Sequence, residues 1–197
     1  MTPQHYFTPS PEARSDRRRV EAQLRGATVW LTTDAGVFAR HVVDNGTKLL
    51  IETMALAPTD RVCDLGCGYG VVGIVAARLA AQATLVDVNA RATALARDNL
   101  AANRSLNAAV AQADGLSAFR TESFDAIVCN PPIRAGNAVV HRLFAESLRA
   151  LRPGGRFWMV AQTRQGAKSF RKKLAEIFRA VEEPAIKGGY RILVGVK

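Results

Sequence analysis

Short apolar runs alternate with longer segments of helical periodicity from Arg61 almost to the C-terminus. The apolar runs have the length of buried strands, and the segments between them repeat apolar positions every three to four residues, as helices do. The predicted strands are 61–65, 84–88, 108–112, 125–129 and 156–161, and the predicted helices are 71–81, 91–103, 139–151 and 167–178. This alternation predicts a parallel sheet with helices on both faces.

The last part of the chain has a different pattern. Two strand-like segments, 180–186 and 190–196, flank Lys187-Gly188-Gly189, which predicts a β-hairpin. Together with the five strands above, the hairpin gives an α/β fold. The predicted architecture is a doubly wound, mostly parallel seven-stranded sheet with a C-terminal antiparallel hairpin, a Rossmann-like arrangement.

The chain before Arg61 divides into two parts. Residues 1–26 are polar and rich in arginine, and we expect a loosely ordered arm with a short helix at 17–24. A strand at 27–33 and a helix at 47–56 follow. The expected organisation is an arm over 1–26 and one domain over 27–197, a length that suits a single core.

The composition excludes several classes of protein. No apolar run approaches the roughly 20 residues that span a bilayer, and the N-terminus lacks the apolar centre of a signal peptide. The 3 cysteines have no CxxC spacing, which argues against a disulfide framework and against a zinc site. We therefore expect a cytoplasmic protein without membrane contact or a metal, either a monomer or a homodimer.

The net charge of +10 is concentrated near the C-terminus. Residues 134–197 contain 14 Lys and Arg against 4 Asp and Glu, an excess that equals the net charge of the whole chain. A local excess of this kind favours a polyanionic partner such as RNA. An acidic protein partner or simple solubility would produce the same pattern.

A glycine-rich turn follows the strand at 61–65. It contains a GxGxxG pattern at Gly68, Gly70 and Gly73, which brings backbone N–H groups close to a ligand at a helix N-terminus. The preceding carboxylate, Asp64, would repel a pyrophosphate but attract an amine and a sulfonium. The turn therefore favours S-adenosylmethionine over a nicotinamide dinucleotide. The predicted cofactor-binding residues of this turn are Asp64, Gly66, Cys67, Gly68 and Gly70.

Acidic residues also end the next two strands. Asp87-Val88-Asn89 occupies the position at which an acid binds ribose hydroxyls in doubly wound folds. Asn89 is in addition a good cap for the following helix. Asp114-Gly115 ends the third strand, where Asp114 is expected to accept a hydrogen bond from an adenine amino group, although an ordinary Asp-Gly turn is an equal alternative. We expect all these residues to line the cofactor crevice.

A proline-rich tetrapeptide ends the fourth strand of the alternation. Asn130-Pro131-Pro132-Ile133 has lost two N–H donors to its prolines, so that hydrogen-bond acceptors remain, including the Asn130 side-chain oxygen. Such acceptors can hold both N–H groups of an exocyclic amine and turn its lone pair toward a methyl donor. We predict that Asn130, Pro131, Pro132 and Ile133 form the catalytic turn, with Asn130 also bordering the cofactor.

These motifs together resemble the class I methyltransferases that modify planar nitrogens. The ordered motifs are DLGCGYG, VDVN and NPPI, and the similarity extends to Asp34–Phe38, to Asp44, Gly46, Leu49 and Leu50, to NPPIRAG and to Gly154–Trp158. The closer match is to the methyltransferase small domain of ribosomal RNA guanine-N2 methyltransferases. The resemblance implies transfer of a methyl group to N2 of a guanine in small-subunit ribosomal RNA.

The resemblance also assigns substrate contacts. The loop that contains Phe38 is expected to close the pocket, and Arg134 and His141 are expected near its mouth. A solvated arginine and a structural histidine are the alternatives at the last two positions. The family's tetrapeptide often ends in an aromatic residue, whereas this chain has Ile133. Stacking on the target base is then expected from Phe38 or Phe7, or is replaced by aliphatic contact.

Two other kinds of function fit part of the sequence. A protein glutamine or a DNA adenine amine could be held by the same tetrapeptide, but the chain has no recognition domain of the kind such enzymes carry. A non-catalytic RNA-binding or ribosome-assembly factor could keep the fold, but the acids and the tetrapeptide argue against it.

Overall fold

The structure is a computed structural model that describes residues 14–37 and 43–197. Two strands form a separate hairpin, β1 (Arg18–Leu24) and β2 (Ala27–Thr33). The strands of the main sheet are β3 (Arg61–Leu65), β4 (Gln82–Asp87), β5 (Ala108–Gln112), β6 (Phe124–Cys129), β7 (Leu151–Gln162), β8 (Ala180–Lys187) and β9 (Tyr190–Val196). The α-helices are α1 (Asn45–Thr53), α2 (Val71–Leu79), α3 (Ala90–Ala102), α4 (Asn137–Ala150) and α5 (Ala167–Ile177).

The main sheet has seven strands in the order β5-β4-β3-β6-β7-β9-β8. Strands β3 to β7 are parallel, whereas β9 runs antiparallel to both β7 and β8. The chain moves outward from β3 to β5 and then returns to place β6 on the other side of β3. This reversal opens a crevice at the carboxyl ends of β3 and β6, where doubly wound folds bind ligands. The predicted fold class is confirmed.

Helices cover both faces of the sheet. Because successive residues of a strand point to opposite sides, side chains of both orientations are buried. In β3, Val62 packs in the core that includes α1, α2 and α3, whereas Cys63 packs in the core that includes α4 and α5. Val128 and Cys129 of β6 divide in the same way. The central strands are therefore apolar at nearly every position, which is why the sequence predicts them well.

The hairpin β1–β2 corrects the expected helix at 17–24. Val20, Ala22 and Leu24 are spaced two residues apart, which is the period of a strand, and their burial contrasts with their exposed neighbours. A two-residue turn follows, in which Arg25 and Gly26 both have positive φ, as tight hairpins require. The arginine-rich composition hid this alternation. The division at residue 26 stays a prediction.

The other elements agree with the prediction except at their ends. Strands β3 and β5 have the predicted bounds, and α1 begins two residues earlier than expected because Asp44 caps it. Strand β7 starts at Leu151, directly after α4, although the prediction placed its start at 156. Within the described ranges, no helix is long and apolar enough to cross a membrane.

Candidate functional site

A cavity of about 800 Å³ lies at the carboxyl ends of β3, β4, β6 and β7. One side is formed by the glycine-rich turn after β3 and by acids after β4 and β5. The other side is formed by the Asn130–Ile133 turn after β6 and by residues of α1, β7 and β9. Its volume is within the range of small-molecule sites. The cavity is divided into an acidic half and a half lined by amide, hydroxyl and aromatic groups.

Asp64 lies at the centre of the acidic half. Its side chain is buried, and its Oδ2 accepts a hydrogen bond of 2.8 Å from the Gly73 amide at the first turn of α2. Burial raises the pKa of Asp64 to about 7, the Gly73 hydrogen bond opposes the shift, and the charge of Asp87 adds to it. A positive group bound in the cavity would offset this cost of ionisation.

Asp87 fixes the glycine-rich turn to the end of β4. Its Oδ2 accepts a hydrogen bond of 2.8 Å from the Gly68 amide, and its Oδ1 accepts one of 2.8 Å from the Asn89 amide. Burial raises the pKa of Asp87, and hydrogen bonds from backbone amides limit the rise. The carboxylate still borders the cavity beside Val88. This position is open to a ligand that carries hydroxyl donors.

The glycine-rich turn contains both lining and supporting residues. Gly66, Cys67 and Gly68 line the cavity. Gly70 does not line it, which corrects the expectation that it borders the crevice. A Cβ at Gly70 would lie 3.0 Å from Leu85 and 3.2 Å from Ala96, so that this glycine permits α2 to approach β4 and α3.

Asn89 is a second correction, because its side chain does not line the cavity. Its Oδ1 accepts hydrogen bonds from the Arg91 and Ala92 amides and so caps α3. Its Nδ2 donates to the Gly36 carbonyl at 3.1 Å. Asn89 therefore ties the segment that precedes residue 38 to the acidic half of the cavity.

Asp114 and Gly115 line the cavity at the end of β5, as predicted, but Asp114 already has a partner. Arg142 of α4 donates to its Oδ1 at 2.6 Å and to Glu146 at 2.9 Å. Glu146 accepts in turn from the Leu116 amide at 2.6 Å. Arg142 therefore holds the loop after β5 in place, a role that the sequence analysis missed.

The tetrapeptide forms the opposite wall. Asn130, Pro131, Pro132 and Ile133 all line the cavity, as does Arg134. The Ile133 amide donates to the Pro131 carbonyl at 2.8 Å, so the turn closes on itself and enters a 3₁₀ turn over Ile133–Ala135.

Asn130 is held by α1. Its Nδ2 donates to Thr47 Oγ1 at 2.9 Å, and the Thr47 hydroxyl donates to the carboxylate of Asp44. Within 14–37 and 43–197, Asn130 Oδ1 has no hydrogen-bond partner. The side chain thus offers an acceptor at the edge of the cavity.

His141 is a third correction, because it does not line the cavity. Its ring lies 6.0 Å from Phe144 and 6.4 Å from Phe170, between α4 and α5. Phe38, Phe7 and His41 lie outside the described residues.

Tyr190, Gln162 and Arg164 are among the lining residues that the sequence analysis did not assign to the site. Tyr190 of β9 accepts a hydrogen bond at its hydroxyl from Gln162 Nε2 at 2.9 Å, and Arg164 Nε donates to Gln162 Oε1 at 2.7 Å. Among the described lining residues, Tyr69 and Tyr190 are the aromatic ones. Tyr190 and Gln162 come together because strand β9 lies beside β7, which local sequence does not reveal.

The arrangement suits a ligand with a positive group and hydroxyl donors in the acidic half, beside a substrate amine at Asn130. In the part of the chain that the structure describes, no group of three or more His, Cys, Asp or Glu side chains is placed to hold a metal ion.

Comparisons with known proteins agree with this geometry. A family model described as "Methyltransferase small domain" matches residues 28–194. The chain is 36% identical to the "Uncharacterized protein YbxB" of Bacillus subtilis over 98% of both chains. It is also 36% identical to a "Ribosomal RNA large subunit methyltransferase G" of Ectopseudomonas mendocina, covering 85% of this chain and 46% of the relative.

A solved structure is similar over most of the chain. It is described as the T. thermophilus 16S rRNA N2 G1207 methyltransferase (RsmC) in complex with AdoMet and guanosine. The TM-score is 0.82 at 28% identity, and the match covers 95% of this chain and 52% of that one. The chain thus spans about half the length of the ribosomal RNA methyltransferases that it matches.

Proposed function

The chain belongs to the methyltransferase small domain family, and on that premise we propose that it transfers a methyl group from S-adenosylmethionine to N2 of a guanine in small-subunit ribosomal RNA. Use of S-adenosylmethionine and a Rossmann-like fold are common to this family. The base and the ribosomal subunit are the proposal. Cytoplasmic action follows from a ribosomal RNA substrate.

The acidic half of the cavity fits S-adenosylmethionine by the chemistry of its side chains. Asp64 offers a buried carboxylate to a cationic amino-acid moiety, and Asp87 offers an acceptor to ribose hydroxyls. Gly66, Cys67 and Gly68 bring the backbone close to the ligand, while Asp114 lies at the remaining strand end. When bound, S-adenosylmethionine supplies a methyl group on a positively charged sulfur.

The observation that carries the proposal is the Asn130 side chain. Its Nδ2 is committed to Thr47, so Oδ1 is left to accept an N–H from an exocyclic amine. Such a contact orients the nitrogen toward the methyl group, and it strengthens as the nitrogen becomes positive. Pro131 and Pro132 hold the turn in one conformation. The nitrogen held at Asn130 would take up the methyl group as the sulfur–carbon bond of the donor breaks, and its surplus proton would leave for water.

The rim of the substrate half favours a polyanion. Arg134 and Arg164 are exposed and border the cavity, and in the described ranges neither forms an ion pair with an acidic side chain. Phosphate contacts from such arginines position RNA without reading its sequence. Tyr190, which replaces the missing aromatic of the tetrapeptide in the lining, supplies a ring for contact with the base.

Large-subunit ribosomal RNA is the second candidate substrate, because the matched relatives include proteins named for that subunit. Both RNAs therefore belong in the first experiment. The protein is incubated with methyl-labelled S-adenosylmethionine and separate 16S RNA, 23S RNA, 30S, 50S and total-protein acceptors. RNA is then digested to nucleosides and resolved by mass.

We expect N2-methylguanosine from a small-subunit acceptor and at least a 100-fold loss of rate in Asn130→Ala. Asn137→Ala is the matched control, because Asn137 is exposed on α4 and does not line the cavity. Label in 23S RNA or the 50S particle would move the assignment to the other subunit. Label confined to protein would refute the RNA proposal.

A further inference from the structure

A chain of hydrogen bonds joins the N-terminus of α1 to the catalytic turn. Asp44 Oδ1 accepts from the Gly46 amide at 2.9 Å and from the Thr47 amide at 3.1 Å, which caps the helix. Asp44 Oδ2 accepts from the Thr47 hydroxyl, and Thr47 Oγ1 accepts from Asn130 Nδ2 at 2.9 Å. Thr47 is buried, and its hydroxyl is bonded on one side to Asp44 and on the other to Asn130.

The direction of these hydrogen bonds is set by Asp44. An ionised carboxylate can only accept, so the proton of the Thr47 hydroxyl is committed to it. The hydroxyl oxygen then has only lone pairs to offer to Asn130. The amide must therefore turn its N–H group to Thr47, and its oxygen becomes the group left for a substrate.

We propose that Asp44 and Thr47 are positioning residues that fix the orientation of the Asn130 amide. The inference rests on the proposed methyl transfer to an exocyclic amine, which requires an acceptor at Asn130. A flipped amide would present N–H groups to the N–H groups of the substrate, and two donors cannot share a hydrogen bond. The carboxylate of Asp44, which itself borders the cavity, thus determines the chemistry of a side chain 86 positions away in sequence.

The hydrogen-bonded series Asp44–Thr47–Asn130, the relay, is held in place by packing between α1 and β9. A Cβ at Gly46 would lie 2.7 Å from the ring of Tyr190, so the glycine allows α1 to pack directly against this side chain of β9. The Tyr190 hydroxyl is in turn bonded to Gln162 of β7. The start of α1 is therefore fixed against the sheet that carries Asn130.

Asp44→Asn changes the hydrogen bond from Thr47 but keeps the helix cap, so it tests the relay alone. Asparagine caps helices as well as aspartate does, through the same side-chain oxygen. Its Nδ2 would replace Oδ2 and donate to Thr47, whose proton would then turn to Asn130 and favour the flipped amide. Thr47→Val removes the hydroxyl at nearly constant shape, and Thr47→Ser keeps it.

The experiment measures kcat and KM on the methylated RNA, the affinity for S-adenosylmethionine by calorimetry and the thermal unfolding of each variant. We expect kcat to fall about 100-fold in Asp44→Asn and in Thr47→Val. Thr47→Ser should stay within about threefold of the native enzyme, and the affinity for S-adenosylmethionine should change less than about threefold in all three. The Asp60→Asn control makes the same chemical change at a carboxylate that bonds the Ala57 amide outside the cavity, and it should retain full activity.

The double variant Asp44→Asn/Thr47→Val distinguishes a relay from two separate structural roles. If Asp44 and Thr47 act as one unit, either substitution already removes their shared effect on kcat. The kcat of the double variant should then be no lower than that of Thr47→Val alone. Native kcat in Asp44→Asn, equal loss in Thr47→Val and Thr47→Ser, or multiplied losses in the double variant would each overturn the relay. Activity that persists in Asn130→Ala would instead overturn the acceptor role in the proposed function.

Discussion

At the scale of single residues, the burial of Asp64 lowers stability, and we propose that the same carboxylate binds S-adenosylmethionine. Its carboxylate is buried, and its pKa is raised from the ordinary value of 3.8 to about 7. A carboxyl group with a raised pKa binds its proton more tightly in the folded state than in the unfolded state. Its contribution to stability is therefore greatest below about pH 4, falls as the pH rises to about 7 and is constant above that.

Asp64→Asn should therefore unfold at a higher temperature than the native protein at pH 8, by about 3 °C or more. The gain should shrink toward pH 4, because the carboxyl group of the folded native protein is then protonated and no longer buries a charge. The same variant should bind S-adenosylmethionine more weakly, since the attraction to the positive ligand is lost. Calorimetric unfolding at several pH values and titration with the ligand measure the two effects. A gain that did not depend on pH would contradict this account.

Arg142 binds the part of the loop after β5 that borders the cavity. Without it, Asp114 loses its side-chain partner, although Glu146 and Arg149 of α4 still bond the backbone of the loop further on. Because the pair is partly exposed, Arg142→Gln should change the free energy of unfolding by less than about 1 kcal/mol. We expect the dissociation constant of S-adenosylmethionine to rise about fivefold to tenfold, since an ordering cost is then added to binding. Lys173→Gln, which breaks the exposed Lys173–Glu176 pair on α5, is the control and should leave that constant unchanged.

The acids and the tetrapeptide could be predicted because parallel strands bring their carboxyl ends to one edge. Gly70, Asn89 and His141 do not line the cavity as expected, since the same residue types also serve packing and capping. Asp44 and Thr47 carry no local signal of contact with Asn130. Their role appears only when α1 packs against the sheet.

At the scale of elements, α3 holds the β1–β2 hairpin through asparagine side chains. Asn99 is buried, and it bonds both the amide and the carbonyl of Thr32, at 2.7 and 2.9 Å. It also donates to the Tyr69 carbonyl at 2.8 Å, next to the glycine-rich turn. One side chain therefore links the hairpin, α3 and the cavity.

Asn99→Ala should lower the free energy of unfolding by about 2–4 kcal/mol, because it leaves one buried and two partly buried backbone groups unpaired. Asn103→Ala is the matched control. Asn103 makes similar bonds to Trp30 but is only half-buried, so its loss should cost about 1 kcal/mol. Urea unfolding of both variants checks the difference. Equal losses would show that burial does not determine how much Asn99 contributes to the free energy of unfolding.

The elements themselves followed from apolar periodicity wherever both faces are buried, as in β3 and β6. The prediction failed at β1, because its exposed face carries the polar residues Arg19, Glu21 and Gln23 and only every second residue is apolar. It also placed the start of β7 late, because Pro153 and Gly154 indicate a turn although the strand there is at the sheet's end.

At the scale of the whole molecule, the positive charge is unevenly placed. The excess lies in residues 134–197, and two of its arginines, Arg134 and Arg164, border the substrate half of the cavity. Composition alone predicted the asymmetry but not its position around the cavity, which depends on how β6 and β7 end side by side.

Arg134→Ala and Arg164→Ala should each weaken RNA binding for every sequence tested. Each should also reduce the slope of log affinity against log salt by about 1, because one phosphate contact is lost. Lys172→Ala, exposed on α5 and absent from the cavity lining, should leave the slope unchanged. Fluorescence anisotropy over a range of salt concentrations measures the slope. Unaltered slopes in both arginine variants would mean that RNA enters by another face.

The position of β9 has a consequence for how the protein forms on the ribosome. Strand β8 is made before β9 but joins the sheet only through it, so neither the outer edge of β7 nor β8 can pair until residues 190–196 have been synthesised. Strands that pair over such distances form late and leave apolar edges open to aggregation in the meantime. The acidic half of the cavity is formed by strands that are made earlier, whereas the substrate half includes Tyr190 of β9. The pocket for S-adenosylmethionine would therefore form in a nascent chain before the pocket for the RNA substrate. Methyl transfer would begin only when synthesis of the sheet is complete.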